Sequence, residues 1–269
     1  MDFNTRIFNQ LLSDLKETSI KDQNSLNKAL RLLAKWRHVL IQKTIVEKNG
    51  VQIMNGPFKG LQYLSGSLEG CYVPKLLGCY EQPLHTAILQ VCKEEYDVII
   101  NIGSAEGYYA AGFAKLNPNT QVDAFDINTK VQGAITELLQ KNKIANCKYV
   151  GEKFVHETFS KYKSKKCLVF LDIEGTEYDL LDPTRAPDLG GMAIIVESHD
   201  CFRPGTTDRL VKRFSKTHKV EIIRDNGDRV LENIPEWFAD LAHLDQLLAF
   251  WEWRIGATPW IVMTPLKSI

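Results

Sequence analysis

Three groups of residues in this 269-residue chain have the types and spacing for chemistry. The first is Asn101-Ile102-Gly103-Ser104-Ala105-Glu106-Gly107, two glycines four apart at the end of the apolar run Val98–Ile102. Glycine lets a chain turn sharply and brings backbone N–H groups close to a ligand, so this segment can cradle a nucleotide-like molecule. Asp126 follows, ending the apolar stretch Val-Asp-Ala-Phe-Asp about twenty residues on. An acid there can accept both hydroxyl hydrogens of a ribose, or it can cap the helix that Asn128 and Thr129 introduce. The third group is Leu-Asp-Ile-Glu-Gly-Thr-Glu, with Asp172, Glu174 and Glu177 crowded at the end of another apolar run. Such crowding is costly unless a cation, a donor or a proton relieves it.

Further on, Ile195-Val196-Glu197-Ser198-His199-Asp200 ends the next apolar run. His199 is the first choice of general base, because an ordinary imidazole titrates near neutrality, and Asp172 is the alternative. No metal ligands are assigned from the pattern, though a divalent metal is compatible with it. Were one present, Asp172 and Glu174 would be its ligands, since hard cations prefer oxygen. Glu174 and Glu177 also fit a plainer reading, as solvated acids favoured by a helix N-terminus.

Strands and helices must alternate to carry these groups. The strands expected are Val98–Ile102, Val122–Asp126, Cys147–Val150, Leu168–Asp172, Ala193–Glu197, Val220–Arg224 and Trp260–Thr264. Helices are expected over Tyr108–Leu116, Thr129–Asn142, Glu152–Tyr162, Glu177–Leu181 and Thr207–Ser215. This rhythm implies a doubly wound α/β sheet, mostly parallel and buried on both faces. Upstream, Phe3, Ile7, Phe8, Leu11, Leu12 and Leu15 share one helical face, and Leu26 to Leu40 another. A turn-rich segment with short extended pieces (VQIM, LQYL) leads to a helix over Leu84–Cys92. The division expected is an N-terminal helical and irregular extension over 1–80 and a Rossmann-like domain over 81–269. The long connection from Arg224 to Trp260 has the length of a lid or substrate wall.

Composition narrows the classes. Lys+Arg and Asp+Glu both number 33, so no global charge draws the chain to phosphate backbones, and a nucleic-acid partner is not expected. Six scattered cysteines without a C-x-x-C pair suit a reducing compartment. No apolar stretch reads as a signal core or membrane span, so a cytoplasmic location is expected.

Taken together, these motifs resemble the class I S-adenosylmethionine-dependent methyltransferases, and among them the FkbM-like group. NIGSAEGYYAAGFA is similar to that group's D-x-G-A-N-x-G-Y-Y pattern, VDAFD to its V-x-A-F-E-P strand, and LDIEGTEYDLL to its D-V-E-G-x-E-x-x-x-L signature. Asn101, Glu106 and Ile127 depart from it, standing where an acid, an isoleucine and a proline are usual. The resemblance covers roughly Gly56 to Pro265 and implies seven strands in the order 3-2-1-4-5-7-6 with the last antiparallel. It implies S-adenosyl-L-methionine as cofactor, held by Asn101, Gly103, Ser104, Gly107 and Asp126, with Asp172 between cofactor and acceptor. The activity it implies is O-methylation of a hydroxyl on a small-molecule or carbohydrate acceptor, with a homodimer compatible. Rival readings are a nicotinamide-dependent oxidoreductase, disfavoured by the missing third glycine of G-x-G-x-x-G, a nucleic-acid ribose methyltransferase, and a non-catalytic binding or assembly module on the same fold.

Overall fold

A computed structural model of the chain describes residues 2–17, 22–67 and 71–266. Lys21, which the sequence places in the polar spacer between the first two helices, and Gly70, in the turn-rich segment after them, lie outside the described residues. The chain opens with two helices, α1 (Phe3–Glu17) and α2 (Gln23–Asn49), then a looped segment ending in a short helix, α3 (Tyr72–Leu77). Helix α4 (His85–Val91) leads into the alternating part. There β1 (Val98–Ile102), α5 (Tyr108–Leu116), β2 (Gln121–Phe125), α6 (Val131–Lys141) and β3 (Cys147–Val150) form the first half. The second half comprises α7 (His156–Phe159), β4 (Cys167–Leu171), α8 (Glu177–Leu180), β5 (Ala193–Glu197), α9 (Thr206–Phe214) and β6 (His218–Ile223). Two short helices, α10 (Glu236–Ala239) and α11 (His243–Ala249), precede β7 (Trp260–Pro265).

The strands make one sheet in the order β3-β2-β1-β4-β5-β7-β6. It is parallel except for β7, which runs antiparallel to both neighbours. This is the order and the reversed strand that the methyltransferase resemblance implies. Every residue of β1, β4 and β5 is buried, as a sheet covered on both faces requires. Successive side chains alternate between two cores. Ile99, Phe170 and Ile195 join one with Ile45, Leu61 and Leu76 from the N-terminal part, whereas Ile100, Val169 and Ile194 join the other.

Register decides the function of this sheet. Ile102 pairs with Phe125 on one side and Leu171 on the other, and Leu171 pairs with Val196. The next residue on each strand is therefore Gly103, Asp126, Asp172 and Glu197, side by side along the carboxyl edge. In open α/β sheets that edge is where ligands bind.

Three expectations are corrected. The helix expected over Glu152–Tyr162 shrinks to α7 and a 3-10 turn at Ser160–Tyr162. Phe154 packs edge-on against Phe125 and Phe159, with centroids 4.8 and 4.7 Å apart, and Val155 is extended. Burying that ring holds the preceding backbone out of the helix. The VQIM and LQYL pieces meet only in a single bridge, Gln52 to Gln62. Residues 72–77, taken as loop, form α3 with Pro74 tolerated in its first turn. Among the described residues no helix is long and apolar enough to cross a membrane.

Candidate functional site

The carboxyl edge of the sheet opens into a cavity of about 1120 Å³. It runs from the β1 turn and Asp126 past Asp172 to Glu197, His199 and the Trp253–Arg254 segment. Helix α2 also reaches it, through Arg31 and Lys35.

At one end the backbone does the shaping. Gly103 and Ser104 both donate N–H bonds to the Phe125 carbonyl, at 2.9 and 3.0 Å. Gly103 has φ +79°, and a Cβ there would collide with the Asp172 carbonyl oxygen, so only glycine lets β1 turn this close to β4. Asp126 accepts from the Ala105 N–H at 2.8 Å with one oxygen and from the Asn128 N–H at 2.7 Å with the other. Asp126 does not cap the helix, since α6 starts only at Val131 behind Lys130 and the Asn128 bond closes the turn before it; each oxygen retains a lone pair for a further donor. Ser104 lines the cavity with a buried hydroxyl that has no hydrogen-bond partner among the described residues.

Two of the expected cofactor residues stand elsewhere. Asn101 is buried within β1, its amide reaching the Phe170 carbonyl at 3.5 Å, and it does not line the cavity. Gly107 starts α5 at φ +93°, where a Cβ would come within 2.6 Å of the Ile135 side chain. Its role is close packing of α5 on α6. Glu106 is wholly buried and turned toward the N-terminal segment. It pairs with Lys75 at 2.8 Å and accepts from Tyr63 at 2.7 Å and from Ser67. Burial would raise its pKa, but the Lys75 charge and these donors outweigh that and hold the carboxyl below its usual value. The β1 turn is thereby tied to α3.

At the other end side chains do the shaping. His199 Nδ1 lies 2.6 Å from Glu177 Oε1, and that carboxylate also accepts the Gly175 N–H at 2.8 Å. The solvated reading of Glu177 is corrected, for it is completely buried. The reason is the burial of His199, which needs a partner. Nε2 of His199 faces Glu197 Oε2 at 3.3 Å and Asp172 Oδ1 at 3.6 Å. Glu197 Oε1 is bound by Arg254 at 2.5 Å, and Arg254 also holds Glu81 at 2.7 Å and Glu252 at 3.2 Å. Tyr109 donates its hydroxyl to Glu81.

These charges move one another. Burial, then the charge of Glu197, pushes Asp172 well above the usual carboxylate range. Burial alone would depress His199, but the Glu177 and Glu197 carboxylates outweigh it and raise its pKa to about 11. The imidazole therefore holds its proton at neutral pH, and base chemistry here belongs to the cluster rather than to a free imidazole. Burial, then the charge of Glu197, raises Glu81 to about 8.

Glu174, expected as a metal ligand beside Asp172, is exposed with φ +49° and does not converge with it. Among the described residues the groups that do converge are Asp172, Glu197 and His199. Sequence reasoning also missed Glu81, Arg254 and Lys75. One signal was legible afterwards: the described non-glycine residues at positive φ are Glu81, Ala105, Lys143, Glu174 and Trp253, and all but Lys143 line the cavity. Backbone strain of this kind gathers at functional sites.

No family model and no curated protein matches this sequence. Solved structures similar to the chain include an rRNA methylase from Streptococcus thermophilus, at 14% identity and TM-score 0.43, over 69% of this chain and 97% of that one. A precorrin-6y C5,15-methyltransferase from Geobacter metallireducens has 15% identity and TM-score 0.43, over 68% and 86%. An O-methyltransferase from Bacillus cereus has 13% identity and TM-score 0.44, over 70% and 81%.

Proposed function

We propose that this protein is an S-adenosylmethionine-dependent methyltransferase of the FkbM-like group, acting on a hydroxyl of a small molecule or sugar. The observation that carries this reading is the continuity of one cavity from Gly103, Ser104 and Asp126 to Asp172, Glu197 and His199. At about 1120 Å³ it exceeds the roughly 300–1,000 Å³ of a typical single-ligand pocket, which suits a cofactor and an acceptor together.

The residues present fit the cofactor. Gly103 lets β1 turn tightly against β4 at the wall of the cavity, and beside it Ser104 offers a buried hydroxyl without a partner among the described residues. Asp126 would take the ribose hydroxyls on its free lone pairs. When bound, the cofactor supplies a methyl group on a sulfonium, an electrophile for in-line attack, so positioning does much of the work. Asp172 stands between the two ends of the cavity, next to both the glycine turn and Glu197. Tyr109, Trp253 and Phe202 supply apolar wall around the acceptor. The acceptor hydroxyl would meet the Asp172–Glu197–His199 cluster, and its proton would pass into that cluster, with Glu177 fixing the imidazole.

Calorimetry with S-adenosylhomocysteine and with NAD tests the cofactor, and transfer of labelled methyl to a panel of hydroxyl acceptors tests the reaction. Tight binding of the adenosyl ligand alone supports the proposal. Binding of NAD instead, or of neither, rejects it.

A further inference from the structure

We propose that Asp172, Glu197 and His199 form a divalent-metal site at the acceptor end of the cavity, each giving one donor atom. Its placement beside the acceptor rests on the methyltransferase reading, but ion binding itself does not.

The first argument is spacing. One donor atom from each residue lies within 4.8 Å of the others, and His199 Nε2 is 3.6 Å from Asp172 Oδ1 and 3.3 Å from Glu197 Oε2. A charge-assisted N–H···O bond is about 2.7–2.9 Å, so the imidazole is not bonded well to either carboxylate. Donors about 2.1 Å from a common ion stand roughly 3.0–3.4 Å apart around an octahedron or tetrahedron. The observed gaps are close to those.

The second argument is the support behind each donor. Metal-bound histidines commonly give their other ring N–H to a carboxylate, which fixes tautomer and orientation. Here His199 Nδ1 is held by Glu177 at 2.6 Å, inside the protein, leaving Nε2 for the cavity, where an ion would take the place of its proton. Glu197 has its Oε1 held by Arg254 at 2.5 Å, which presents Oε2. Asp172 Oδ1 is shielded from solvent and finds no hydrogen-bond donor among the described residues. Three donors face one point, and two are braced from the far side.

Two carboxylates and an imidazole, with no thiolate, suit a first-row divalent cation such as Mn²⁺ or Zn²⁺. Three protein ligands leave positions open toward the cavity, where an acceptor oxygen can bind and become more acidic. His199 is then a ligand, and it is the ion that activates the hydroxyl.

The test uses the full chain, freed of metal by chelation and titrated with Mn²⁺. One Mn²⁺ per chain is expected, with a nitrogen coupling from His199 in the electron-spin spectrum of the unmutated protein, a readout that needs no variant. Asp172→Asn and Glu197→Gln should each weaken binding more than tenfold. Glu177→Gln, acting through His199, should weaken it about 10- to 100-fold, and Glu174→Gln should leave it unchanged. Absence of Mn²⁺ and Zn²⁺ binding at millimolar concentration, or binding indifferent to Asp172→Asn and Glu197→Gln, overturns the site. S-adenosylhomocysteine binding, measured separately, keeps the two readings apart: cofactor without metal sinks this inference alone, and metal without cofactor sinks only the methyltransferase.

Discussion

The two ends of the cavity are built on different principles. The β1–β2 end is made of backbone: paired N–H groups on the Phe125 carbonyl, a glycine at positive φ, and an aspartate clasping the Ala105 amide. Its parts lie within about 25 residues of one another. The β4–β5 end is made of charged side chains from distant segments, with Arg254 joining Glu81, Glu197 and Glu252. A backbone site is set once the strands pair. A side-chain site requires every segment to arrive, and each absent partner leaves a buried charge. The first end should therefore respond to mutation in binding and the second in turnover, while stability depends on the buried ion pairs behind both, Lys75–Glu106 among them.

The largest separation is expected from His199→Ala. It removes the group braced by Glu177 and should lower kcat about 10²- to 10⁴-fold, the usual range for a positioned proton-transfer or activating group. The affinity for S-adenosylhomocysteine should stay within about twofold. Equal losses in both would mean that the two ends are not separate. Next in size is Lys75→Met, which removes the cation 2.8 Å from the wholly buried Glu106. Removing one partner of a buried ion pair costs about 3–5 kcal/mol. Urea unfolding should show that loss, and adding Glu106→Gln should recover much of it. No recovery would show that Lys75 acts through packing against Tyr80 and Tyr108 instead. Then comes Asp126→Ala. Losing hydrogen bonds to a charged acceptor costs about 1.5–3 kcal/mol each, so S-adenosylhomocysteine should bind about 100-fold more weakly. Unchanged affinity by calorimetry would remove Asp126 from the cofactor end.

The same contrast explains what the sequence could reveal. Apolar runs and glycine spacing locate backbone features, so the seven strands, the β1 turn and Asp126 were legible within a residue or two. Asp172 and His199 were legible as well, because each ends an apolar run. Glu177 was not, since nothing local separates an acid on the surface at a helix start from one drawn inward by a histidine 22 residues away. Glu81, Arg254 and Lys75 gave no periodic signal either, because they are joined to partners distant in the chain, 31 residues for Lys75–Glu106, 57 for Arg254–Glu197 and 173 for Arg254–Glu81. Asn101 misled for the opposite reason. It sits in the motif, but strand alternation turns its side chain into the protein.

The smallest predicted effect probes the reach of the charged end into α2. Trp253, at φ +63°, donates its indole N–H to His38 Nδ1 at 2.8 Å, and Arg31 of α2 binds its carbonyl at 2.6 Å. Burial lowers the His38 pKa from 6.5 to about 4, so the folded protein keeps this ring neutral where the unfolded chain would protonate it. The unfolded state thus binds the extra proton between about pH 6.5 and 4. Stability is fully present above that window and is lost as pH falls through it. At about 1.4 kcal/mol per pH unit, the loss between pH 6.5 and 5 should be about 2 kcal/mol. His38→Gln keeps an acceptor for Trp253 but cannot titrate, so its urea midpoint should fall less over the same range. Parallel slopes for the two proteins would place the acid sensitivity elsewhere. A shallower slope in the variant would show that acid acts on the wall of the cavity through the neutral His38 imidazole, which fastens Trp253 to α2 beside Arg31, a dependence the backbone-built end does not share.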